Sequence, residues 1–138
     1  MSQCIDLDIH VDLIRHETDP RHIYAMLIHG LPRRYHLSAS VQRRHLLSKQ
    51  PDLTGTAWNA LLAAVMEHAT WPHGEPKPAW IEEAERFLDK PWLIAGVPEI
   101  ARDCVRFTPA AFIRHGVLVD PRGFCPRHGD FHAWYTSR

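Results

Sequence analysis

Thr54 to Trp71 reads TGTAWNALLAAVMEHATW, and the fold turns on how this stretch is read. Its apolar residues Trp58, Leu61, Leu62, Val65 and Met66 fall at i, i+3, i+4, i+7 and i+8, one continuous stripe on an α-helix. Thr54 or Thr56 is placed to cap its start, because a hydroxyl there accepts from an otherwise orphaned backbone N–H. Alanines fill the gaps and let neighbouring helices approach closely. A core helix is expected here, with Trp58 and Leu62 at the centre of the fold and Trp80 and Phe87 packed nearby.

The segments before it are short enough to pack against that helix. Asp19-Pro20 opens a helix as N-cap and first-turn proline, with Ile23, Met26 and Leu27 inward and Gly30 at its end. Leu31-Pro32-Arg33-Arg34 reads as a break. Ser38 or Ser40 starts the next helix, through Val41 to Leu47, stopped before Pro51. At the N-terminus, residues 5–13 (IDLDIHVDL) alternate strictly, Ile5, Leu7, Ile9, Val11 and Leu13 against Asp6, Asp8, His10 and Asp12. Period two predicts a β-strand. A lone strand leaves its backbone groups unpaired. Its partner is therefore Val117-Leu118-Val119 or another chain, where strand addition would bury Leu7, Ile9 and Val11 and set Asp6, Asp8 and Asp12 against basic groups.

Beyond the core helix, prolines punctuate residues 71–78. Pro78 fits the first turn of a fourth helix with Trp80, Ile81, Ala84, Phe87 and Leu88 inward and a Glu82–Arg86 ion pair. Pro91-Trp92-Leu93-Ile94 turns the chain. Pro98 starts a short helix through Ile100, Cys104 and Val105, and Thr108-Pro109 caps another that ends at His115-Gly116. The expected fold is mainly α: one compact domain over 1–120 of five or six short helices with a short N-terminal strand. Residues 121–138 read as an irregular tail.

Composition narrows the function classes. A chain of 138 residues makes one domain, long enough to bury roughly two-thirds of its unfolded surface. Lys+Arg and Asp+Glu balance at 16 each, which favours neither nucleic acid nor a membrane. No run approaches a membrane span and no signal-peptide pattern opens the chain, so a cytoplasmic location is expected. Cys4, Cys104 and Cys125 are odd in number and scattered, against a disulfide framework. The charges are unevenly spread. Residues 1–19 hold Asp6, Asp8, Asp12, Glu17 and Asp19 against Arg15 alone, whereas residues 20–50 hold Arg21, Arg33, Arg34, Arg43, Arg44 and Lys49 and no carboxylate. Such a layout is satisfied inside the chain or across an interface.

Three groups of residues carry possible chemistry. Cys125, His128 and His132 have ligand-like spacing, but a structural zinc site needs four ligands and no CxxC, HExxH or paired-Cys knuckle is present, so no metal or cofactor is expected. The acidic face Asp6, Asp8, His10 and Asp12 suits a cation or a basic partner, and equally suits the solvated side of an edge strand. Arg33, Arg34, Arg43 and Arg44 form the densest basic segment, and the arginine fork fits phosphate or carboxylate. A sequence pI of about 7.2 is lower than a dedicated nucleic-acid binder shows. No phosphate loop, nucleophile elbow or kinase, hydrolase or deaminase signature is present.

A spaced set of words runs from Leu46 to Val119: Trp58-x-x-Leu61-Leu62, Glu67-His68, Pro78-Ala79-Trp80, Arg86-Phe87-Leu88-Asp89-x-Pro91-Trp92, and Thr108-Pro109-Ala110-Ala111-Phe112-Ile113-Arg114-His115-Gly116-Val117. This half of the chain resembles a small bacterial domain of high-GC genomes. That domain often follows a helix-turn-helix DNA-binding domain, in proteins akin to antitoxins or regulators beside nucleotidyltransferase-like toxins. The N-terminal residues depart from that pattern, being too few for a separate DNA reader. The resemblance therefore implies the partner-binding half and brings no catalytic residues. The expected function is a non-enzymatic, antitoxin-like module binding a partner protein, or a second copy of itself, through Asp6, Asp8, Asp12, Ile9, Val11, Arg33, Arg34, Arg43 and Arg44. The alternatives are a nucleic-acid-binding regulator using Arg33–Arg44 and, third, a metal-dependent enzyme.

Overall fold

The computed structural model describes residues 7–93 and 108–119. The short helix expected from Pro98, the tail from 121 and the residues Asp6, Cys125, His128 and His132 lie outside them. Within the described residues the protein is mainly helical, as expected, with a single two-stranded sheet. Its helices are α1 (Leu7–His16), α2 (Pro20–Ala25), α3 (Leu31–Leu37), α4 (Ser40–Ser48), α5 (Trp58–Thr70) and α6 (Ala110–Arg114), and the strands are β1 (Trp92–Leu93) and β2 (Val117–Leu118).

Helix α5 is the core. Asn59 through Met66 are all buried, so the helix is enclosed on every side rather than along one stripe. Ala60, Ala63, Ala64 and Ala69 make this possible, since small side chains leave room for other elements to close in. The cap is reversed from the expected form. Asn59 reaches back, its Oδ1 accepting from the Thr54 backbone N–H at 2.7 Å and the Thr54 hydroxyl at 2.9 Å. Leu61 and Leu62 occupy the centre. Trp58, expected there, is half-buried at the edge, where it meets Trp92 edge-on with ring centroids 5.0 Å apart; Phe87 is also half-buried.

The N-terminal strand is not formed. Residues 7–16 are an α-helix that buries Leu7, His10, Val11 and Ile14 and leaves Ile9 58% exposed. Alternation over 5–13 contains a second pattern, because Leu7, Val11 and Ile14 stand at i, i+4 and i+7. The helical period wins here by bringing those three side chains to one side, against the core. Val117-Leu118 does pair, but with Trp92-Leu93, in parallel and in register Trp92 to Val117 and Leu93 to Leu118.

Three further elements differ from expectation. Asp19 caps α2 as anticipated, its carboxylate accepting from the Arg21 N–H at 3.0 Å. Gly30, however, does not end the helix. A π-turn, Met26–Gly30, carries the chain from α2 straight into α3, with the Leu31 N–H bonded to the Met26 carbonyl. Leu31-Pro32-Arg33-Arg34, expected as a break, instead opens α3, and Pro32, which has no N–H to give, sits where the π-turn hands over to it. The fourth helix is replaced by two 3₁₀ turns, Ala79–Glu82 and Ala84–Arg86, and Glu82 does not pair with Arg86. Helix α6 ends at Arg114, close to the expected place, and Gly116 turns the chain at φ +84°. Thr108 locks this segment, its hydroxyl donating to the Val119 carbonyl at 3.1 Å and accepting from the Val119 N–H at 3.2 Å.

Candidate functional site

Two polar knots join distant parts of the chain. The first ties α3 and α4 to the turn after α5. Tyr35, fully buried, donates its hydroxyl to Glu75 at 2.9 Å, and the Arg43 guanidinium binds the other oxygen of the same carboxylate. Arg43 also donates to the Ser38 carbonyl and lies 5.9 Å above the Tyr35 ring. Beside it His36 Nδ1 and His73 Nε2 stand 2.8 Å apart. Burial raises the Glu75 carboxyl, but hydrogen bonds from Arg43 and Tyr35 outweigh it and hold the group below the ordinary carboxylate value. Burial and the Glu75 charge push the Tyr35 phenol upward. Burial, with His73 and Arg43 close by, lowers His36.

The second knot ties α5 to α6 and the 3₁₀ turns. His115, fully buried, has acceptors at both ring nitrogens, the Arg86 carbonyl at 2.7 Å from Nδ1 and Glu67 at 3.1 Å from Nε2. Phe87 stacks on this imidazole at 4.3 Å. Arg114 bridges Glu67 and Glu82. Burial raises the Glu67 carboxyl, yet hydrogen bonds from Arg114 and His115 bring it below the ordinary value. Arg86 is also fully buried, donating to the Pro51 carbonyl at 2.8 Å and to Glu83 at 3.2 Å, with Trp80 5.0 Å away. In both knots the carboxylates are filled by arginine, histidine or tyrosine partners. They tie distant parts of the fold together.

The residues singled out from sequence divide sharply. Val11 is core. Asp8 pairs with Lys49, and Asp12 and Ile9 are exposed on α1. Arg43 is consumed by Glu75. Arg33, Arg34 and Arg44 are exposed. Among the described residues the acidic and basic sets of the first fifty residues thus meet where Asp8 pairs with Lys49 and Asp19 with Arg21, while Arg15 reaches Asp52 at 4.0 Å. Among the described residues no group of three or more His, Cys, Asp or Glu side chains is placed to hold a metal ion, and no helix is long and apolar enough to cross a membrane.

What sequence reasoning missed is a set of exposed apolar side chains on the elements that carry the first knot. Leu37 is 77% exposed, Val41 67% and Trp71 84%. Leu37 is on α3 and Val41 on α4, and Trp71 opens the turn after α5, the three elements that the Glu75 and His36–His73 contacts tie together. A signal existed: Leu37 and Val41 fit neither apolar stripe, Leu31–Tyr35 or Leu46–Leu47, that faces the core. Arg44, Leu47, Glu75, Lys77, Pro78 and Trp80 line an open groove of about 380 Å³. Comparison with family models, with curated proteins and with solved structures finds no match to this chain.

Proposed function

We propose that this chain is a non-enzymatic, antitoxin-like module that binds and restrains or regulates a partner protein, a nucleotidyltransferase-like toxin being the kind of partner the sequence resemblance suggests. The observation that carries the reading is that Leu37, Val41 and Trp71, three large apolar side chains on the elements tied by the first knot, are left mostly exposed. Large apolar side chains left in water on neighbouring elements mark a surface suited to protein contact, and tryptophan is enriched among the anchors of such contacts. The filled carboxylates of the two polar knots support a binding role over a catalytic one.

The test uses the intact chain and a variant carrying Leu37→Ala, Val41→Ala and Trp71→Ala. Wild type is expected to isolate one protein from the native host and to re-form a stoichiometric complex with that protein once purified. The triple variant should lose the complex at an unchanged melting temperature. Equal binding by the variant would reject these three side chains as the contact, and turnover of a substrate by the purified chain would reject the non-enzymatic reading.

A further inference from the structure

We propose that the outer face of α3 and α4 takes an acidic, amphipathic segment of a partner protein, an inference that rests on the partner-binding reading above. Ion pairing across the molecule singles out this face. Arg15, Arg21, Arg43, Arg86 and Arg114 each reach a carboxylate, respectively Asp52, Asp19, Glu75, Glu83 and the Glu67/Glu82 pair. The other described arginines, Arg33, Arg34 and Arg44, have no such carboxylate among the described residues, and all lie on one stretch of twelve positions, 33–44. Residues 20–50 contain no carboxylate, so cations there are answered only by acids brought from elsewhere. The fold brings Glu75 to Arg43 and Asp8 to Lys49, and none to these three.

Apolar side chains share the face. Arg33 and Arg34 stand four and three residues before Leu37 on α3, and Val41 three residues before Arg44 on α4. Each set therefore lies on one side of its helix. The elbow between the helices is tied. The Ser38 hydroxyl donates to the Arg34 carbonyl at 2.6 Å, Arg43 donates to the Ser38 carbonyl, and the Ala39 N–H donates to Gln42 at 3.1 Å. These bonds fix the elbow between the two helices, and Arg44 also lines the groove with Leu47 and Trp80. Guanidinium forks beside exposed leucine and valine match carboxylates beside apolar side chains. A nucleic acid would leave Leu37 and Val41 without a role, and the chain's net charge of zero gives it little general attraction for a polyanion.

Fluorescence anisotropy with three labelled probes tests this: an amphipathic helix of Glu and Leu, its Lys and Leu counterpart, and a short DNA duplex. The intact chain should bind the Glu/Leu helix in preference to both others. The reversal variant Arg33→Glu, Arg34→Glu, Arg44→Glu should lose that binding by about tenfold or more, as expected when buried charge pairs are broken, and should favour the Lys/Leu helix. The variant Arg33→Lys, Arg34→Lys, Arg44→Lys should bind as a weakened wild type, and Leu37→Ala with Val41→Ala should also weaken binding. Thermal melts confirm that each variant folds. No binding of the Glu/Leu helix, or equal binding by the reversal variant, overturns the inference. So does preferred binding of the duplex that is steeply salt-dependent and survives loss of Leu37 and Val41. A dimer in sedimentation that the reversal variant abolishes would overturn it too, by making a second copy the occupant. Capture of a host protein that ignores the three reversals overturns the acidic-partner inference alone and leaves the partner-binding function standing.

Discussion

Glu75 accepts from Tyr35 and Arg43 at once, with only 12% of its side chain facing solvent. Removing it strands a buried hydroxyl and a mostly buried guanidinium. Glu75→Ala should therefore cost about 3 kcal/mol, the lower end for breaking one side of a buried pair. Tyr35→Phe removes one hydrogen bond and keeps the ring against the core, and should cost about 1 kcal/mol. Denaturant titration of both single variants and the double checks the pair, and additive losses would disprove the coupling. No part of this knot was legible in the sequence. Arg43 reads there as part of a basic segment answered somewhere inside the chain or across an interface, and the carboxylate that answers it lies 32 positions away. Glu67 likewise stands beside His68 in sequence but binds His115, 48 positions on. Spacing arguments reach four or so residues along a helix, and these contacts exist only after α5 has gathered its neighbours.

Elements carry their own tests, and two glycines give opposite ones. Gly30 has φ −70° in continuous helical backbone, and a Cβ there would meet Met26 at 3.7 Å, an ordinary contact. Gly30→Ala should stabilise by about 0.5–1 kcal/mol, a result that contradicts a helix end at this position. At Gly116, φ is +84° and a Cβ would come within 3.0 Å of the Leu88 side chain and 3.1 Å of its carbonyl. Gly116→Ala should cost about 1–3 kcal/mol. Helix α1 has a sharper test in Asp12→Pro. Asp12 is exposed, so little packing is lost, and the expected loss of about 3 kcal/mol reports helical backbone. A melting temperature left in place would return residues 7–16 to an extended form. This element shows where the sequence was ambiguous. Ile5 to Leu13 satisfies period two throughout, and only burial in the assembled core decides that Leu7, Val11 and Ile14 are the side chains that count. The core helix, the Asp19 cap and the Thr108-to-Gly116 segment were legible, because each is written in local pattern and turn chemistry.

The molecule as a whole responds to pH through groups shifted by folding. His36, Glu67 and Glu75 are lowered from ordinary values of 6.5, 4.5 and 4.5. A lowered group contributes stability above its unfolded value and loses it as pH falls through the folded one. Stability should thus decline below about pH 6.5 through His36 and again below about 4.5 through the two glutamates. Tyr35 is raised from 10.0, so its contribution is present below that value and is lost at higher pH. Melting temperature across pH should trace a plateau between about pH 7 and 10, with the first acid step reduced in His36→Asn and the remainder carried by His68, which burial lowers from the same ordinary value. An acid limb with no step near 6.5 in wild type would remove His36 from this account.

The π-turn has a consequence for how the chain tolerates changes in length. Ile23, Leu27, Leu31 and Tyr35 are all buried at a strict spacing of four, although four residues of α-helix overshoot a full turn by about 40°. Over three such steps the error reaches about 120°, enough to swing Tyr35 away from Glu75. The widened turn absorbs about one residue, or 100°, and brings Tyr35 back to the inner side. Residues 26–30 therefore act as a phase corrector, and an added or lost residue elsewhere between Ile23 and Tyr35 would undo the correction. Shortening the chain by one inside the turn, at exposed His29, should convert it to regular helix and keep both flanking faces in phase. The same deletion at exposed Arg33 would rotate everything after it, turning Tyr35 outward and the basic face in.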